Sequence, residues 1–109
     1  MLGELLVRPT ATTLVLHGEL DLATINLLRD LLDDAVATRP RMLVIDLRDV
    51  PFVDLLSLSA ILAAADAVRD RGGDASVAGA STAVRRVCAL LNADDVLAAE
   101  IPLQRRAVG

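Results

Sequence analysis

A chain of 109 residues is one domain's worth, long enough for one core and too short for two. Hydrophobic residues make up 54%, yet Phe52 is the only aromatic. The core must therefore be aliphatic, which suits helices packed on a sheet better than an aromatic-rich sandwich. A net charge of −4 repels phosphate backbones, and no Tyr or Trp is present to stack on bases, which argues against direct nucleic-acid binding.

No apolar run approaches the ~20 residues that cross a bilayer, so no membrane insertion is expected. The N-terminus lacks a charged region followed by a sustained apolar stretch, so it does not read as a secretory signal, and a cytoplasmic location is expected by default. Cys88 stands alone, which excludes an internal disulfide.

Glu4–Arg8 and Thr12–His17 read as strands broken by Pro9-Thr10, a hairpin pattern. Leu14 and Leu16 would share one face, with Val15 and His17 on the other. Gly18 releases the backbone at the strand's end. After Gly18-Glu-Leu-Asp-Leu22 comes a helix whose buried stripe is Ile25, Leu28, Leu32, Ala35 and Val36. Asp21 or Thr24 is expected to cap it, and Pro40 marks its end.

Met42–Leu47 is the most apolar strand, and its lack of alternation predicts burial on both faces, with helices above and below. Leu55–Arg71 reads as the second helix, with Leu58, Ile61, Leu62, Ala65 and Val68 inside and Gly72-Gly73 as its stop. Ala75–Gly79 is a short strand. Ser81 is placed to cap a third helix with Val84, Val87, Cys88 and Leu91 on its apolar face. Asn92 sits where a left-handed residue ends it. Asp95–Glu100 reads as a further helical turn, Ile101–Leu103 as an edge strand and 104–109, with Arg105-Arg106, as a loose solvated tail. The order β-β-α-β-α-β-α implies an α/β fold, with parallel pairing and right-handed crossovers after the hairpin.

The inventory of reactive groups argues against an enzyme. His17 is the only histidine, so no His cluster for a metal exists, and a surface or hydrogen-bonded role at the strand end is expected. Cys88 lies on an apolar stripe and reads as a small buried hydrophobe rather than a nucleophile. Glu19, Asp21, Asp46, Asp49 and Asp54 are carboxylates near strand ends, where Mg²⁺ binding or acid–base work is conceivable, but capping and solvation account for them more simply. Neither Gly72-Gly73 nor Gly79 forms a phosphate-binding loop, and no cofactor is expected.

The stretch Asp46–Ser59 carries the functional expectation. A strand ends in it and a helix begins in it, and loops at strand C-termini are where α/β folds place their sites. Asp54 is placed to cap the helix. Leu55 and Leu56 occupy the first turn, where polar groups are usual. Either they tuck under the loop or they form part of an apolar contact surface. A phosphate on Ser57 or Ser59 would be favoured by the helix N-terminus and opposed by Asp54.

The sequence resembles the STAS-domain family, and within it the bacterial anti-sigma factor antagonists. The resemblance rests on Gly18-Glu-Leu-Asp-Leu22, Leu43-Val-Ile-Asp-Leu47 and Val50-Pro-Phe-Val-Asp54. It continues in Arg71-Gly-Gly73, Val77-Ala-Gly79 and Ala83-Val-Arg-Arg-Val87, with Asn92 at a usual Gly. It spans residues 4–103 of a single domain. It implies a mixed sheet with an N-terminal hairpin and helices packed against it. It also implies sequestration of an anti-sigma factor, a serine kinase of the histidine-kinase-like ATPase type, so that a sigma factor is freed. Partner binding would then use Glu19, Asp21, Asp54, Leu55, Leu56, Ser57 and Leu58.

Where such antagonists usually read Asp-Ser-Ser-Gly-Leu or Asp-Ser-Thr-Gly-Leu, this chain reads Asp54-Leu-Leu-Ser-Leu58, with Leu56 at the usual phosphoacceptor position. Three readings follow: an antagonist that this switch cannot turn off, an acceptor displaced to Ser57 or Ser59, or a different partner held by Leu55 and Leu56. The first is preferred, because one residue along a helix rotates a side chain by about 100° away from a kinase site built for position 56. The alternative class is a soluble STAS subunit of a membrane transport system or a larger signalling assembly.

Overall fold

A computed structural model of the chain describes residues 2–97. The elements follow the expected order: β1 (Gly3–Val7), β2 (Ala11–His17), α1 (Ile25–Ala37), β3 (Met42–Asp49), α2 (Leu55–Asp70), β4 (Asp74–Ala78), α3 (Thr82–Leu90) and a 3₁₀ turn at Asp94–Val96. The sheet runs β1-β2-β3-β4, antiparallel in the hairpin and parallel thereafter. Across the hairpin turn, the Arg8 N–H donates to the Ala11 carbonyl at 2.8 Å. Leu97 bridges Val77 in parallel, on the side of β4 away from β3. The predicted edge strand at Ile101–Leu103, the last part of the Asp95–Glu100 turn and the tail 104–109 lie outside the described residues.

Register decides which side chains form the core. Leu14 pairs with Ile45 and Ile45 with Val77, so these three share one face, together with Leu16, Leu43, Leu47 and Ala75. All are buried and pack with Ile25, Leu28, Leu32 and Ala35 of α1 and with Leu58, Ile61, Ala65 and Val68 of α2. At about 1.5–3 kcal/mol for each large aliphatic side chain removed from water, this layer supplies the main driving force of the fold. Gly3 sits where α1 crosses β1: a Cβ there would lie 2.5 Å from the Val15 carbonyl oxygen and 3.3 Å from a Leu31 methyl, so no larger residue fits unless its neighbours shift.

Two expectations are corrected. β3 is not equally buried on both faces: Leu43, Ile45 and Leu47 are fully covered, whereas Met42 and Val44 are half-buried. Its apolar run reflects a central position between β2 and β4, with α1 and α2 on the Leu43–Leu47 face. Nor does a side chain cap α1. Thr24 holds the cap position, but its hydroxyl is turned back into the preceding turn, where it accepts from the Asp21 N–H at 3.1 Å. Asp21 is likewise engaged within that turn, its Oδ1 accepting from the Ala23 N–H at 3.0 Å. The remaining capping signals hold, although Leu91, expected on the apolar face of α3, is the exposed residue at its C-terminal cap. Ser81 Oγ caps α3 by accepting from the Val84 N–H at 3.1 Å, and Asn92 has φ 53 beyond the helix end.

Candidate functional site

Two loops at the C-terminal ends of β2 and β3 are strapped together by backbone hydrogen bonds. Gly18 N–H donates to the Asp49 carbonyl at 2.9 Å, Leu20 N–H to Phe52 at 3.0 Å, and Asp54 N–H to Leu20 at 3.0 Å. Leu20 and Val53 form an isolated parallel bridge. The strap resembles a strand pair broken by a bulge, and the β2–β3 register does shift between Val15 and His17. Gly18, at φ 80, makes the turn into it. Leu20, Val50 and Val53 point inward and are essentially fully buried, so the apolar residues of both loops divide into anchors below and a surface above.

That surface is apolar. Leu22 is 71% exposed, Leu55 53%, Phe52 46% and Leu56 42%, all on the strapped loops or the first turn of α2. Of the two arrangements open to Leu55 and Leu56, the structure shows the exposed one. These four are among nine large hydrophobic side chains exposed in the described residues, and they share the end of the domain where the strapped loops meet the start of α2. Glu19 is exposed and Asp21 half-buried beside them.

Asp54 caps α2: its Oδ1 accepts from the Ser57 N–H at 2.7 Å. Such a cap is worth about 1 kcal/mol and engages one of the two carboxylate oxygens. Ser57 and Leu58, both expected at the contact surface, are 0% exposed. The reason is helical spacing: Ser57 lies four residues before Ile61 and eight before Ala65, on the buried stripe itself. Its Oγ is the one buried side-chain polar atom among the described residues without a hydrogen-bond partner. Ser59, two residues on, faces solvent.

The remaining candidates separate from this surface. Asp46 is 2% exposed and held by Arg48, whose Nε and backbone N–H both donate to Oδ1, at 3.3 and 3.0 Å. The aliphatic stem of Arg48 lies against Gly79, where a Cβ would collide with Arg48 Cγ, so Gly79 makes room for the pair at φ 73. His17 sits at the rim, with Nδ1 3.4 Å from Asp49 Oδ2. Cys88 is fully buried in α3. Among the described residues no group of three or more His, Cys, Asp or Glu side chains could hold a metal ion, and no helix is long and apolar enough to cross a membrane.

Sequence reasoning missed Leu22 and Phe52 as members of the surface. Signals existed for both. Phe52 is the chain's one aromatic and follows Pro51 in a loop. Leu22 stands three residues before Ile25 but outside the helix whose stripe Ile25 begins.

The comparisons agree with this architecture. The STAS domain model matches residues 4–106. The anti-sigma factor antagonist SpoIIAA in its unphosphorylated form superposes with a TM-score of 0.79 at 16% identity, covering 94% of this chain and 91% of that one. An anti-sigma factor antagonist from Mycobacterium paratuberculosis gives a TM-score of 0.79 at 24% identity, covering 97% and 89%. A sulfate transporter family protein from Wolinella succinogenes gives 0.67 at 18% identity, covering 85% and 75%. A search of curated proteins returns no significant match. At these identities the structural likeness speaks to fold, while the family model spans nearly the whole sequence. The chain belongs to the STAS-domain family.

Proposed function

We propose that this STAS domain is an anti-sigma factor antagonist that binds its partner through an apolar surface and lacks the usual serine phosphoswitch. The observation that carries the reading is the exposed Leu55–Leu56 pair on the strapped loops. The names of the neighbouring folds support the class. The partner is an anti-sigma factor of the serine-kinase type and the setting is cytoplasmic transcription control, with no catalytic step assigned to this chain.

Leu56 has no hydroxyl to phosphorylate. Ser57 carries one, but it is enclosed beneath the first turn of α2, so a kinase reaches it only if that turn opens. Ser59 is accessible and is the acceptor to test. A phosphate there would add about −1.5 to −2 charge one turn along from Leu55 and Leu56, where desolvation on binding is costly.

The test is titration calorimetry against purified anti-sigma kinases from the same source, with Leu55→Ala/Leu56→Ala alongside. Binding by the wild type, weakened at least tenfold (about 1.4 kcal/mol) in the double variant with stability moved by less than about 0.5 kcal/mol, is the expected result. No binding to any of these kinases would remove the reading. In parallel, intact mass after incubation with kinase and ATP should be unchanged; a stoichiometric phosphate lost in Ser57→Ala or Ser59→Ala would restore a displaced switch. A second reading, a STAS subunit of a transport assembly, draws on the sulfate transporter family neighbour. Transporter genes beside this one, in place of sigma and anti-sigma genes, would favour it.

A further inference from the structure

The opposite end of the molecule carries a feature that partner binding at the strapped loops does not use. There α1 and α2 end and β3 begins, roughly 20–25 Å along β3 from the apolar surface. A cavity of about 370 Å³ opens between these ends, and Arg39, Arg41 and Arg71 all line it, together with Val36, Pro40 and Gly73. No carboxylate lines it. We propose that this cavity is a binding site for a multiply charged oxyanion of the phosphoryl type.

Composition makes the cluster informative. The chain has 15 acidic residues against 11 basic ones, and every basic one is arginine. Arg48 pairs with Asp46, and Arg69 with Asp74 and Asp95. Arg39, Arg41 and Arg71 have no ion pair among the described residues, as is also true of Arg8, Arg29, Arg85 and Arg86; what sets the three apart is that two loops, α1–β3 and α2–β4, bring them to one cavity. Arg39 has a left-handed backbone, φ 53, in the turn that closes α1, where its N–H donates to the Val36 carbonyl at 3.0 Å.

The simpler explanation is that these side chains complement the helix C-termini. It accounts for Arg71, whose Nη1 donates to the Val36 carbonyl at 3.2 Å near the end of α1. It does not account for Arg39 and Arg41, whose guanidinium groups meet no carbonyl or carboxylate among the described residues. Magnitudes agree. Two helix C-termini contribute about −0.5 each, against three full positive charges, which leaves about +2 at the cavity. Setting Asp33, which lines the adjoining groove beside Arg71, against that sum leaves about +1.

The chemistry selects the ligand class. Guanidinium groups present planar forks of N–H donors that match the paired oxygens of a phosphoryl group, and three of them around one cavity favour a dianion over a halide. The backbone N–H groups of Arg39, Gly72 and Gly73 are already used in closing the helix ends, so recognition rests on the side chains.

The test is an amide-resolved NMR titration of the full chain with inorganic phosphate and with pyrophosphate, with sodium chloride at matched ionic strength as the third arm. The expected result is saturable shifts centred on Arg39–Arg41 and Arg71–Gly73, with pyrophosphate the tighter ligand and chloride without a saturable effect. Arg39→Gly/Arg41→Ala should weaken binding at least tenfold. Glycine suits the left-handed position, so the variant is expected to keep the fold, and its amide spectrum checks this. Arg85→Ala/Arg86→Ala, which removes the same charge from exposed sites on α3, should change affinity less than twofold. Non-saturating shifts, equal losses in the two variants, or undiminished binding in Arg39→Gly/Arg41→Ala would each overturn the proposal.

Discussion

The first turns of α1 and α2 flank the same surface and are built in opposite ways. At α1 the polar groups turn to one another: Thr24, Asp21 and Ala23 close a self-contained turn, and no side chain caps the helix. At α2 the polar groups serve the helix and the apolar ones face water. Asp54 caps the backbone, Ser57 goes under, and Leu55 and Leu56 are left outside. A helix start that would ordinarily gain from solvated polar side chains here carries two exposed leucines. The two starts thus differ in what their polar groups serve: those before α1 bond to one another, whereas Asp54 serves the backbone of α2.

Four substitutions break or sharpen the contrast. Both starts rest on Leu20, fully buried beneath the strap, so Leu20→Ala should act on both and lower stability by about 2–5 kcal/mol in urea unfolding. A loss below about 1 kcal/mol would mean that the strap does not hold the two loops as a unit. The caps should then separate them. Asp54→Ala removes a side-chain cap and should cost about 1–2 kcal/mol, whereas Thr24→Ala, which removes none, should cost about 0.5 kcal/mol. Equal costs would erase the distinction drawn here. The smallest effect has the opposite sign. Ser57→Ala removes a buried hydroxyl with no partner and places a better helix former there, so the midpoint should rise by an amount equivalent to about 0.5–1 kcal/mol. A fall would show that the hydroxyl is satisfied in solution.

The burial of Ser57 was in fact readable from spacing. It sits on the row that continues through Ile61, Ala64 and Val68, and only its polarity argued for the surface. Arg48 over Gly79 is different in kind. Nothing local joins residues 48 and 79; the parallel pairing of β3 with β4 does. The same holds for the cavity arginines, since Arg71 reaches the Val36 carbonyl across 35 positions of sequence.

Taken alone, the sequence determined what depends on neighbours within a turn or a strand pair. The hairpin around Pro9-Thr10, the helix stripes, the caps at Asp54 and Ser81, the left-handed end at Asn92 and the absence of a hydroxyl at Leu56 are all of this kind. Each follows from periodicity, dihedral preference or side-chain chemistry, which act over a few residues. Tertiary structure decided which apolar residues stay in water. Leu20 and Leu22 are two apart and chemically identical, yet one is fully buried and the other 71% exposed. The strap to Phe52 and Asp54 anchors Leu20 below it, and that arrangement arises only when the ends of β2 and β3 are brought side by side.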